Sequence, residues 1–176
     1  MMEPPQIPSK LESYNKQPEK AYIAGLIDGN SSITAHVVTS EDHRLGFDVK
    51  CRVRMTRYLP FAIQRADDLC VKIGVLSNIR VERPRGDAQS DRYIFEIVQN
   101  YHIKNFLDEI YPFLRDRREE ADVLSNQIVP SLERGEHLHE ESFIEIVRDI
   151  DSLHEMNPHS TRTKYDAEYF EEEFGL

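Results

Sequence analysis

Three long basic side chains recur at every second residue in GFDVKCRVRMTR, residues 46–57: Lys50, Arg52 and Arg54. The residues between and beside them, Val49, Cys51, Val53 and Met55, are apolar. A period of two is that of a β-strand, so one face of this segment is core and the other presents fixed positive charge. Such a face suits a polyanion. A second constellation lies upstream in PEKAYIAGLIDG, residues 18–29, where Gly25 and Gly29 are four apart and Ala21 and Ala24 keep the adjoining surface small. On a helix, residues four apart share a face, and glycine lets a second backbone approach closely. A buried helix packing within its own chain would use glycine in the same way.

The elements that hold these residues follow from local pattern. Pro18 to Gly29 carries proline and Glu19 in its first turn and glycine at its end, the start and stop signals of a short helix. Ser32 to Thr39 is rich in β-branched residues, and Gly46 to Arg57 alternates, so both are expected to be strands. Pro60 to Gly74 has helical spacing of Phe61, Ile63, Ala66, Leu69, Cys70 and Ile73. Val75 to Glu82 and Arg92 to Gln99 are two further predicted strands joined by the turn-rich RPRGDAQSD. Beyond them, Tyr101 to Ile110, Pro112 to Leu132, Glu140 to Asn157 and Asp166 to Phe174 are expected to be helices. The fold class is α+β, one sheet backed by helices. Residues 1–17 are polar and Pro-bearing, a flexible lead-in to a single domain over 18–176.

At 176 residues with 39% hydrophobic content, the chain has the length of one domain and enough apolar residues for a core. The net charge of −10 argues at first sight against nucleic acid, but its distribution is uneven. Residues 44–92 hold 11 basic and 6 acidic side chains, whereas residues 93–176 hold 8 and 20. One basic face on an acidic body reconciles the total with a polyanionic partner. Cys51 and Cys70 have no metal-ligand spacing and are expected to be packing residues in a reducing compartment. His36, His102, His137, His139, His154 and His159 likewise form no ligand pattern. No apolar run approaches the roughly 20 residues that span a bilayer, so no membrane partner is expected. The expected location is cytoplasmic, or an organellar stroma or nucleoid for an organelle-encoded chain.

Ile23 to Ile33, IAGLIDGNSSI, resembles the signature of the LAGLIDADG homing endonucleases. The Lys50, Arg52 and Arg54 strand, the helix ending at Gly74, YPFLRDRREEADVL at 111–124 and NPHSTRTKYDAEYF at 157–170 resemble the successive parts of the single-motif homodimeric type encoded by algal chloroplast introns. The resemblance covers roughly residues 18–174. It implies an αββαββα core with additional C-terminal helices and a saddle-shaped antiparallel sheet for DNA. It also implies that the signature helix meets the same helix of a second subunit, with Ala21, Ala24, Gly25 and Asp28 at the interface of a homodimer on a pseudo-palindromic duplex site.

Cleaving both strands of DNA requires divalent metal, Mg²⁺ or another hard cation, near each scissile phosphate. The resemblance assigns its ligands to the Gly29 carbonyl and the side chain at position 30, where the family has an acid and this chain has Asn30. A neutral amide does not offset a cation's charge, so metal affinity and cleavage are expected to be weakened. Asp28 matches the motif's other acid, and Ser31 replaces its usual glycine. Arg57 aligns with a polar residue that orders solvent at the scissile phosphate, and Arg117 with a basic residue that stabilises transition-state charge. Lys50, Arg52 and Arg54 fall among base-reading positions, with Ser32, Thr34, His36, Arg80, Glu82, Arg92 and Ile94 as lesser candidates. Thr161, Arg162 and Lys164 align with a phosphate-contacting segment.

Three readings follow. The first is a sequence-specific duplex-binding homodimer impaired in cleavage by Asn30. The second is an active nuclease despite Asn30. The third is a non-catalytic regulator or interaction module whose acidic C-terminal half contacts a protein.

Overall fold

The alternation in residues 46–57 is realised in the computed structural model as the central, longest strand of an antiparallel sheet; residues 17–83, 90–157 and 164–176 are described. In chain order the elements are α1 (Gln17–Asn30), β1 (Ser31–Thr39), β2 (Phe47–Arg57), α2 (Pro60–Ile73), β3 (Asn78–Glu82), β4 (Arg92–Ile97), α3 (Asn100–Ile110), α4 (Arg118–Asp122), α5 (Val129–Glu133), α6 (Glu140–Glu155) and α7 (Ala167–Phe174). The α+β class and the αββαββα order through α3 are therefore as expected, with helices following. The four strands are ordered β1-β2-β4-β3, each neighbour antiparallel.

Helices cover one face of the sheet. Val49, Cys51, Val53 and Met55 of β2 join Ile33, Ala35 and Val37 of β1 and Phe95 and Ile97 of β4 in one core. Ile23, Ala24 and Ile27 of α1 and Phe143, Ile146, Val147 and Ile150 of α6 complete it. Phe47, Phe143 and Phe170 meet edge-on or tilted, with centroids 4.8–6.3 Å apart, and fasten α6 and α7 over the end of the sheet. Both cysteines are buried and unpaired, and burial pushes each thiol up to about 12, so neither forms thiolate near neutral pH.

Two predicted spans differ. Val75 to Ser77 are not strand: Gly74 takes φ 71°, Val75 N donates to Cys70 O at 2.8 Å, and the segment closes α2 instead. The expected helix 112–132 starts late, because Tyr111–Phe113 is a 3₁₀ turn and Leu114 is extended. It also widens to a π-helical stretch at Val123–Ile128, just ahead of Pro130, which has no N–H and whose ring would meet the Asn126 carbonyl in an unbroken α-helix. The proposed lead-in falls outside the described residues except Gln17, which begins α1. No helix among the described residues is long and apolar enough to cross a membrane.

Candidate nucleic-acid interface

The sheet's uncovered face is built by register. Ser32 faces Arg54, Thr34 faces Arg52 and His36 faces Lys50 across β1 and β2. Arg54 continues to Glu96 and Asn78, Thr56 to Ile94 and Arg80, and Arg92 pairs with Glu82. All ten base-reading candidates, Ser32, Thr34, His36, Lys50, Arg52, Arg54, Arg80, Glu82, Arg92 and Ile94, therefore share one surface. Ile94 is a correction within that set: it is fully buried beneath its neighbours and offers no accessible group.

Glu96 was not among the sequence candidates, although it belongs to the same row. It is only 7% exposed on a face that is otherwise largely polar. Its Oε1 lies 3.2 Å from Arg80, 3.5 Å from Arg54 and 3.8 Å from Arg52. A carboxylate desolvated alone is costly, and three guanidiniums offset that cost while being held close together in return. Alternation could have exposed Glu96, since it stands two residues from Ile94 in YIFEI. At the sheet's end, Asp48 pairs with Lys50 and accepts from Val49 N at 2.8 Å; burial alone would raise its carboxyl, but these partners hold it below its ordinary value.

His36 stacks at 5.2 Å on His154, whose Nε2 lies 3.0 Å from Ala35 O. Burial, His154 and Arg52 together lower the His36 pKa, so the imidazole favours its neutral form. Lys164 is exposed with its ammonium 5.1 Å from the Tyr165 ring, whereas Thr161 and Arg162 lie outside the described residues.

The end of α1 forms a second cluster. Arg57 has core-side parity in β2, so its side chain leaves the sheet toward α1 rather than toward the basic face. Its Nη2 donates to Leu26 O at 3.4 Å. With its oxygen and nitrogen assigned from their neighbours, the Asn30 amide accepts from Arg57 Nη1 and donates to Gly29 O at 3.1 Å. Asp28 accepts from Arg115 N at 2.9 Å and Arg117 N at 3.0 Å, thereby fixing the entry to α4. The Arg117 guanidinium instead meets buried Glu120 at 2.7 Å, and burial raises the Glu120 pKa despite that pairing.

The interface residues separate on the same helix. Ile23, Ala24 and Ile27 form its inward stripe, and Ala24 is fully buried in its own subunit, so its placement at a partner interface is corrected. Asp28 is half-buried and engaged with the α4 entry, so it too serves its own chain. Ala21, Gly25 and Gly29 are exposed, and a Cβ on either glycine would meet nothing within 4 Å.

Nor does the motif end suit a hard cation. Mg²⁺ takes oxygen ligands near ideal octahedral geometry and favours carboxylate. Here the Gly29 carbonyl and the Asn30 amide oxygen are both neutral, both already accept hydrogen bonds, and one accepts from a guanidinium. Among the described residues no group of three or more His, Cys, Asp or Glu side chains could hold a metal ion.

No family model matches the chain. DNA endonuclease I-CreI from Chlamydomonas reinhardtii is 27% identical over 154 residues, covering 85% of this chain and 84% of that endonuclease. The homing endonuclease I-CvuI, solved with the I-CreI target, superposes with a TM-score of 0.73 at 19% identity, over 93% of this chain and 98% of that chain. This chain is similar to I-CreI and has the fold of the homing endonucleases. Its length relation within that group is informative: it matches I-SmaMI, solved on an uncleaved DNA target with calcium, with a TM-score of 0.63 and 15% identity, but 89% of this chain spans only 49% of that one. A fold of this length thus spans nearly the whole I-CvuI chain and about half the I-SmaMI chain. Asn30 is the residue that Arg57 contacts at the end of α1.

Proposed function

We propose that the protein binds duplex DNA sequence-specifically through the outer face of β1, β2, β3 and β4, as a homodimer, and that it is impaired in cleavage. The observation that carries this reading is the single continuous surface on which Lys50, Arg52, Arg54, Arg80 and Arg92 lie in register, in a fold shared with DNA-bound homing endonucleases. A twisted antiparallel sheet can enter the major groove, where arginine pairs with guanine edges. Helices rich in Glu and Asp occupy the opposite layer, so an overall acidic chain keeps a basic docking face.

The dimer rests on α1. Glycine inside a helix costs roughly 1 kcal/mol relative to alanine, and Gly25 has no close neighbour in its own chain that requires its small size. A second α1 crossing there would use that space. The half-length relation to I-SmaMI supports the same arrangement. Gly25→Leu is expected to yield a folded monomer, seen by sedimentation, with thermal stability no lower than that of an isolated wild-type subunit.

Cleavage is weakened because Asn30 brings no negative charge to a divalent cation. Selection from a random duplex library, in EDTA, tests the binding reading. Enrichment of one pseudo-palindromic sequence is expected. Recovery of only unselected, salt-sensitive binding would overturn it. Incubating the enriched duplex with Mg²⁺ then separates an impaired nuclease, which leaves it intact, from an active one.

A further inference from the structure

We propose that the Arg57 guanidinium is a built-in cation at the end of α1, gripping the DNA phosphate there without metal and silencing the site together with Asn30. The inference rests on the DNA-binding reading and adds a residue and a charge to it.

The hydrogen bonds at this end are reciprocal. In the assigned orientation Asn30 directs its N–H to the Gly29 carbonyl and its oxygen to Arg57, which engages both oxygens the LAGLIDADG pattern would offer a cation. Arg57 spends its other terminal nitrogen on the Leu26 carbonyl. These three carbonyl-type acceptors are neutral, so none cancels the guanidinium charge. Arg57 differs here from Arg52, Arg54 and Arg80, which share Glu96, and from Arg117, which pairs with Glu120: among the described residues it meets no carboxylate at ion-pair distance. It is only partly covered, and its Nε is buried without a partner. A guanidinium has five N–H donors and matches phosphate oxygens two at a time, so donors remain for a phosphate at the motif end.

The same geometry predicts that Asn30→Asp alone does not rebuild a metal site. The new carboxylate would face Arg57 directly, form an ion pair and leave no net negative charge for Mg²⁺. Restoring the site requires both Asn30→Asp and Arg57→Gln.

Two assays test this. In the first, each variant is titrated by calorimetry with Mn²⁺ in the absence of DNA. Wild type, Asn30→Asp and Arg57→Gln are expected to show no binding, and the double variant to bind about one ion per subunit. Asn30→Asp binding as tightly as the double variant would overturn the proposal. In the second, binding to the library-selected duplex is followed in EDTA against salt. Arg57→Gln is expected to weaken it about tenfold and to reduce the salt slope by about 0.9 per lost phosphate contact, while Arg57→Lys retains the slope. Unchanged affinity and slope in Arg57→Gln would also overturn it, with thermal unfolding showing each variant folded. Failure to select any duplex would defeat the DNA reading itself, and the metal titration would still decide the built-in cation.

Discussion

Arginine is concentrated in two places, the centre of the sheet and the end of α1, and what opposes it differs. On the sheet, Arg52, Arg54 and Arg80 converge on one buried carboxylate, Glu96, and Lys50 has Asp48. At the end of α1, Arg57 meets neutral oxygens among the described residues, while Asp28 is committed to the backbone of Arg115 and Arg117 and Glu120 to the Arg117 guanidinium. Charge balanced by carboxylates favours selectivity, because a wrong partner must compete with an existing ion pair. Charge opposed only by neutral dipoles favours affinity for any phosphate. On the proposed reading, the sheet discriminates and the helix end holds.

The strongest way to break the comparison is to empty the sheet. Lys50, Arg52 and Arg54 changed together to Ala should lower selective binding by at least about 10³, since each base contact contributes about 1–3 kcal/mol. Fluorescence anisotropy on the selected duplex reads that loss, and retained tight binding would place the interface elsewhere. Next in size is Asp28→Ala, which removes two hydrogen bonds to a charged acceptor and should lower stability by about 2–3 kcal/mol, measured by denaturant unfolding. Glu96→Gln sharpens the contrast at about tenfold: non-specific affinity should rise and the ratio of selected to random duplex should fall. The smallest effect is a pH slope. His36 has its pKa lowered from 6.5 on folding, so the folded state binds fewer protons; the resulting stability is present above 6.5 and is lost as pH falls below it. His137 is lowered in the same direction, chiefly by burial, so His36→Gln should reduce but not remove the slope in thermal unfolding.

Much of this arrangement was legible in the chain because strand parity is strict. Alternation placed Lys50, Arg52 and Arg54 on one face with their partners in β1, and the signature segment placed Asn30 at a helix end. Parity did not disclose that Ile94 is covered, since its burial depends on side chains from adjacent strands. Ala24 illustrates a similar limit: being small made it a candidate for an interface, yet the helical turn puts it beside Ile23 and Ile27 in the core. The link from Asp28 to Arg115 and Arg117 joins residues 87 and 89 positions apart, and no local pattern encodes it. Helix 112–132 was too long because periodicity registers its apolar face but not the bonds at its entry or the widened turn before Pro130.

Affinity for the library-selected duplex, measured by anisotropy in EDTA and again in Mg²⁺ at matched ionic strength, tests the central claim most directly. Equal, selective binding in both conditions with the DNA intact is the predicted result. Binding that disappears in EDTA, or a duplex cut in both strands once Mg²⁺ is added, would contradict it.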